Sequence, residues 1–404
     1  MRLPSLKSVN DSTDGLRGDQ AATGLSDRAR QWASTMAGFD TARSGADVRT
    51  AHAAPGPHVG AGGPFTRQQR EELEAAFLAP GATRVEGAGR RGRAETPDPF
   101  RTCFERDRDR ILHASTFRRL AGKTQVFVFP ADHQRTRLTH ALEVAQVAVS
   151  IARALRLNVA LTEAIALGHD CGHGPGGHAS EDALSPYVDG GYDHASCGAD
   201  VALAELNLCV ETLDGVRNHS WSRPTPSTPE GEVVSWADRI AYVCHDFEDA
   251  VHAGVVSASM LPGPVADACG IDRRVQLAAF VHAVVDGTIS AGVVGMPVAT
   301  ADVLAAFRAF NYEHIYLRPA SLKQAALVVD LLQALVEHYA DRPHLMPTRF
   351  AGIREVSVTA GSPDAYRAAV TYVGGMTDRY ACRLGVTELG WDVSKLPVGV
   401  DARG

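Results

Sequence analysis

From position 166 the chain runs Ala166-Leu-Gly-His169-Asp170-Cys-Gly-His173-Gly-Pro-Gly-Gly-His178-Ala-Ser-Glu181, three histidines, two carboxylates and five glycines in sixteen residues. The apolar lead-in from Thr162 to Leu167 reads as a helix. Helical neighbours point about 100° apart around the axis, so an adjacent His-Asp pair converges on one ion only at a helix end. The glycines that follow put the pair at such an end, since they take turns and close approaches that other residues cannot. Imidazole and carboxylate are the usual side chains for a borderline divalent metal. An isolated His-Asp pair is mostly chance, so its company elsewhere in the chain decides its meaning.

That company comes from two further helices. Thr136-Arg137-Leu-Thr-His140 opens one, with Leu138, Ala141, Leu142, Ala145, Val149 and Ala152 at spacings of three and four and Thr136 placed to cap. The other, 230–252, carries Asp238, Tyr242, Asp246 and Asp249 on one face. A row of acids is ordinarily a solvated face. Here Ile240, Ala241, Val243 and Cys244 leave the helix little polar surface, so the row is expected to line an interior cavity. His140, His169, Asp170 and Asp238 then form a candidate ligand set for one cation. Two imidazoles with two carboxylates suit Mn²⁺, Fe²⁺, Co²⁺, Ni²⁺ or Zn²⁺ better than Mg²⁺ or Ca²⁺. His178 and Glu181, three apart, form a candidate acid–base dyad in which the carboxylate fixes the imidazole tautomer.

The rest of the chain reads as helices near 162–170, 178–187, 196–206, 273–290, 300–311, 321–340 and 363–384. Strand signals are confined to Val126-Phe-Val-Phe and Val356-Ser-Val. The fold class is all-α. Residues 1–95, rich in Gly, Ser, Ala and Pro, are expected to be a largely flexible arm with short helices at Ser26–Met36 and Thr66–Phe77, ahead of a helical domain over 96–404 with a C-terminal helical subregion. Arginines 101, 106, 108, 110, 118 and 119 form either a solvated face or a phosphate-facing one. A net charge of −7 argues against general nucleic-acid binding. Seven cysteines without CxxC spacing suggest reduced thiols, and no apolar run spans a bilayer, so a cytoplasmic, membrane-free protein is expected.

Five motifs in order resemble the HD-domain deoxyguanosine-triphosphate triphosphohydrolase-like family: Arg106-Asp-Arg-Asp-Arg-Ile111 with Phe117-Arg-Arg-Leu-Ala-Gly-Lys123-Thr-Gln125; Arg135-Thr-Arg137-Leu-Thr-His140; His169 to Glu181; Asn207-Leu with Glu211, Gly215 and His219-Ser220; and Ala237-Asp238-Arg-Ile-Ala-Tyr242 with His245-Asp246. A further piece is Gly375-Met-Thr-Asp378-Arg-Tyr-Ala381. The resemblance implies an HD phosphohydrolase fold and hydrolysis of dGTP or another dNTP to deoxynucleoside and triphosphate. It implies metal at His140, His169, Asp170 and Asp238, with Mn²⁺ first and Fe²⁺, Co²⁺, Ni²⁺, Zn²⁺ or Mg²⁺ as alternatives. It implies catalysis by His178 with Glu181, and His173 near the phosphates. Arg137 and Arg239 would contact phosphate, and Gln125, Tyr242 and Asp246 would surround the sugar. It also implies a nucleotide effector and a homo-oligomer, with nucleic acid only as an effector. The chain departs from the family at Pro175-Gly-Gly-His178, where an aromatic usually precedes Gly-His, and at Ala195 and Cys197, where Asn and Gln are usual. Competing readings are an HD phosphatase or phosphodiesterase on another nucleotide, and a nucleotide-sensing scaffold without turnover.

Overall fold

The computed structural model describes residues 26–36, 38–40, 48–54, 59–60, 62–130, 133–347 and 358–398. The chain divides into two units, 1–64 and 65–404. In the first, Ser26 caps helix α1 (Asp27–Ser34), accepting the Ala29 amide. Strands β1 (Phe39–Asp40) and β2 (Arg49–Thr50) pair antiparallel, Phe39 opposite Thr50.

The second unit is helical throughout. It begins with α2 (Arg67–Phe77), α3 (Cys103–His113) and α4 (Ser115–Arg119), the first two closed by capping boxes at Thr66 and Thr102. The central elements are α5 (Arg137–Leu155), α6 (Val159–Gly168), the short α7 (Ala179–Leu184) and α8 (His194–Cys197), α9 (Val210–Asn218) and α10 (Pro229–His252). Beyond them lie α11 (Gly263–Cys269), α12 (Arg273–Ala291), α13 (Val298–Asn311), α14 (Pro319–Asp341), α15 (Pro363–Gly374) and α16 (Asp378–Thr387).

Two apolar clusters hold this unit together. One joins α3, α5, α6, α9, α10, α12 and α13 through residues such as Phe104, Ile151, Ile165, Ile240, Phe280 and Phe307. Helix α6 is apolar on nearly every side, which is the pattern of a helix enclosed by others. Its neighbour α9 approaches closely enough that a side-chain carbon at Gly215 would fall 2.4 Å from Ile165. The second cluster joins α7, α14, α15 and α16 through Leu184, Leu335, Val373 and Leu384.

Several expectations change. The Val126 to Phe129 stretch runs through bends rather than a strand, because Thr124 and its neighbours bond to separate partners and Phe129 turns left-handed (φ 50°). The expected strand at Val356 begins outside the described residues. The helix foreseen over 363–384 is two helices, broken where Gly374-Gly375 ends one and Thr377 caps the next. Helices α9 and α11 were not foreseen; each is short and carries a glycine that blurs its periodicity. Residues 65–95, assigned by composition to the flexible arm, belong to the helical unit: Thr83 is held by buried Glu230, and Arg91 pairs with Asp107 at 2.6 Å. On α5 the buried face includes Val144, Val147, Ala148 and Ile151, while Leu142 is exposed. Finally, α14 is by length and composition apolar enough to cross a bilayer; Val328, Leu331, Leu335 and Val336 on it face the second apolar cluster.

Candidate metal centre and cavity

Three elements bring the four candidate ligands together. Thr136 stands at the N-cap of α5, its amide donating to Thr139 Oγ1, and the first turns carry Arg137 and His140 inward. Helix α6 ends at Gly168, so His169 stands at its C-cap and Asp170 in the turn beyond it. Asp238 comes from the middle of α10. His140 Nε2 lies 3.0 Å from Asp238 Oδ1 and 3.9 Å from Asp170 Oδ2. His169 Nε2 lies 3.5 Å from Asp170 Oδ1 and 3.7 Å from Asp238 Oδ1.

The donor set fits a divalent cation. His169 Nδ1 donates to the Ala166 carbonyl at 2.6 Å, which fixes the tautomer and directs Nε2 at the carboxylates. That Nε2 is buried without a hydrogen-bond partner. Burial opposes charge on His169, yet Asp170 and Asp238 overcome it and raise its pKa to about 9. Both carboxylates, despite burial, are held well below their ordinary range, Asp170 chiefly by Arg137 and Asp238 by its hydrogen bond with His140 and the nearby His169 imidazole. A site that draws a proton so strongly draws a divalent cation by the same field.

Beside this quartet runs a second chain of contacts. Arg137 Nη1 donates to Asp170 Oδ2 at 2.7 Å, and His173 Nε2 lies 3.3 Å from Asp170 Oδ1. Burial, Arg137 and His194 hold the His173 imidazole well below its usual pKa, hence neutral. His178, largely exposed, donates through Nδ1 to Glu181 Oε2 at 2.9 Å. Glu181 Oε1 accepts from His194 Nδ1 at 2.7 Å and from the His194 amide at 3.0 Å. Burial works against the Glu181 carboxylate, but the bonds from His178 and His194 hold its pKa far below the carboxylate range. The chain of contacts continues to His219, whose Nε2 lies 3.2 Å from His194 Nε2 and whose Nδ1 donates to the Val216 carbonyl.

His140, Asp170 and Asp238 of the quartet and His178 of the dyad line one cavity of about 860 Å³, drawn from elements of both apolar clusters; His169 and Glu181 are not among its lining residues. Gln125, Arg137, Arg239, Tyr242 and Asp246 all line it, so every expected substrate-facing residue reaches the same space. Arg239 stacks its guanidinium 3.4 Å above the Trp221 ring. Asp246 accepts from Tyr316 OH at 2.6 Å, and burial pushes its carboxyl up to about 7. Asp249 departs from the row: its carboxylate is taken by buried Arg135 at 2.6 Å, away from the cavity. The arginines of α3 do not reach it either: Arg106 and Arg110 pair with Glu95, and Arg108 with Asp109 and Glu163.

Sequence reasoning gave His194 and His219 no role, though both fall in the family pattern, and missed Arg308 and Tyr316. The two histidines lack any partner at helical spacing. Arg308 donates to Tyr242 OH at 2.6 Å across 66 residues, and Tyr316 reaches Asp246 across 70. Tyr316 stands in a π-helical turn, Tyr312–Tyr316, that ends the α13 segment. No local pattern foretells such pairs.

A helical unit built round a buried His/Asp quartet is the architecture of an HD-domain phosphohydrolase, and residues 137–243 match the HD domain and 294–385 the phosphohydrolase-associated domain. A deoxyguanosinetriphosphate triphosphohydrolase-like protein of Caldanaerobacter subterraneus is 39% identical over 322 residues, 78% of this chain and 93% of that protein. Another, from Clostridium perfringens, is 39% identical over 305 residues, 72% of this chain and 87% of that one. The chain therefore belongs to the deoxyguanosinetriphosphate triphosphohydrolase-like family. A hypothetical protein from Aquifex aeolicus, solved at 2.0 Å, overlaps 57% of this chain and 60% of its own with a TM-score of 0.40 at 19% identity.

Proposed function

We propose that this protein hydrolyses a deoxynucleoside triphosphate, dGTP or another dNTP, to the deoxynucleoside and inorganic triphosphate, using Mn²⁺ held by His140, His169, Asp170 and Asp238. One observation carries the reading: His178, paired with Glu181, lines the same cavity as His140, Asp170 and Asp238 of the quartet, a cavity that also offers guanidinium groups and a polar end. The names of the relatives from Caldanaerobacter and Clostridium point the same way.

A divalent cation held by the quartet would neutralise phosphate charge and supply Lewis acidity. The chain's own residues do the rest. Arg137 and Arg239 place the polyphosphate, and neutral His173 lies beside it as a hydrogen-bond partner. The bond that breaks joins the α-phosphorus to the 5′-oxygen; water's oxygen goes to phosphorus and a proton must reach the departing oxygen. His178 is placed to carry that proton on Nε2, since Nδ1 is committed to Glu181. Gln125, Tyr242 and Asp246 surround the sugar, and Tyr316 and Arg308 hold the last two in place.

The test is product identity. Purified protein with Mn²⁺ is given the four dNTPs singly and mixed, the mixture serving the expected nucleotide effector, and phosphorus products are separated by ion exchange. Inorganic triphosphate is expected from at least one dNTP, with none from His178→Ala. Orthophosphate, or no product at all, overturns the proposal.

A further inference from the structure

The motif Gly375 to Ala381 has no task in the site as described. Asp378 opens α16, yet it caps nothing there: Thr377 is the N-cap residue, and the Asp378 carboxylate bonds outside its own helix. It is 6% exposed. Oδ2 accepts the Thr124 amide at 2.9 Å and the Thr124 hydroxyl at 2.6 Å; Oδ1 accepts the Gly176 amide at 2.9 Å. Burial raises its pKa against these three donors. Burying a carboxylate on main-chain donors is costly unless the bonds are needed where they are.

Both partners adjoin the site. Thr124 precedes Gln125 and bridges to Thr136, the cap of the helix that carries Arg137 and His140. Gly176 lies in the turn that joins His173 to His178. Its φ of +74° and the 2.4 Å that would separate an added carbon from Val328 leave room at this position for glycine alone. Lys123 adds a parallel tie, its Nζ donating to the His173 carbonyl and, at 3.1 Å, to that of Gly374. The C-terminal region thus grips both walls of the cavity at once.

We propose that Asp378 is a positioning residue for catalysis, fixing the His173–His178 turn against the Thr124–Gln125 segment so that His178 meets substrate at a set distance. The proposal rests on the reading of His178 as the catalytic group.

The full-length protein with Mn²⁺ is compared with Asp378→Asn, which turns an amide N–H toward existing donors, and with Thr124→Val, which deletes one bond of three. Displacement of about 1 Å at a reacting group costs on the order of 10²-fold in rate. Asp378→Asn is therefore expected to lower kcat about 10²-fold with a smaller change in KM and unchanged metal content, and Thr124→Val to fall between it and wild type. Hydrogen exchange supplies the readout that a merely structural role would not give. Amides of residues 172–178 should exchange faster in Asp378→Asn, while those of α14 and α15 keep the wild-type rate. Unchanged kcat overturns the proposal, as does acceleration spread evenly over α14–α16 with the loop unaffected. Should wild-type protein release no triphosphate, the proposed reaction fails alone, and the exchange measurement, which needs no substrate, still decides whether Asp378 holds the turn.

Discussion

Glu181 answers two imidazoles with two oxygens, taking His178 on Oε2 and His194 on Oε1. A carboxylate so used is more than a charge beside a helix terminus; it fixes which nitrogen of His178 faces the cavity. Glu181→Gln keeps the shape and removes the charge. One of its two positions then presents an N–H where an acceptor is required, so either His178 or His194 must turn or change tautomer. On the proposed reaction, kcat should fall about 10- to 10²-fold with metal content unchanged, less than the loss for His178→Ala, since acid–base groups contribute roughly 10²–10⁴-fold. Steady-state kinetics beside metal analysis checks this, and a Gln variant with full activity would leave His178 without its orienting partner in the mechanism.

Besides the Arg70–Glu105 ion pair, helix α2 is fastened to its neighbours by a polar knot around Glu74. Asn158 caps α6, bonds Glu74 and donates to the Thr83 carbonyl, while Glu230 at the start of α10 accepts from Thr83 and from the Asn158 amide. Burial first, then Glu105 and Glu71, push the Glu74 carboxyl up to about 7, and its Oε2 is buried without a partner. The sign follows from linkage. Below pH 4.5 Glu74 is protonated folded and unfolded, with no penalty. Between pH 4.5 and about 7 the unfolded chain sheds a proton that the folded protein keeps, so stability drains as pH rises, fully by pH 8. Glu74→Gln should therefore unfold at higher urea than wild type at pH 8, by about 1 kcal/mol after solvent screening, and at equal urea at pH 4. An equal difference at both values would show that the carboxyl titrates normally. At this scale the sequence was readable where a helix is long and amphipathic, as in α5 and α10. It misled where glycine divides a helix, at Gly374-Gly375, and where β-branched residues around Val126 bond to scattered partners instead of a neighbouring strand.

Across the whole molecule, the quartet could be read because each ligand type is chemically rare at a helix end or on an apolar helix, whereas Arg308, Tyr316 and Asp378 act on partners that only folding brings near. The quartet, like those pairs, exists only once α5, the end of α6 and α10 have packed. A cation that binds this folded arrangement and not the unfolded chain stabilises the fold by mass action, about 2.7 kcal/mol at a free concentration one hundred times its dissociation constant. At about 1–2 °C per kcal/mol for a unit of this size, the thermal midpoint should rise roughly 3–5 °C with saturating Mn²⁺ and return on chelation. Asp238→Asn leaves the apolar clusters intact and removes a charge that His140 and His169 share, so it should melt near the metal-free wild type and gain little from Mn²⁺. Calorimetry of both proteins with and without the ion decides it: a midpoint indifferent to Mn²⁺, or a shift that survives Asp238→Asn in full, would place the cation somewhere other than between these helices.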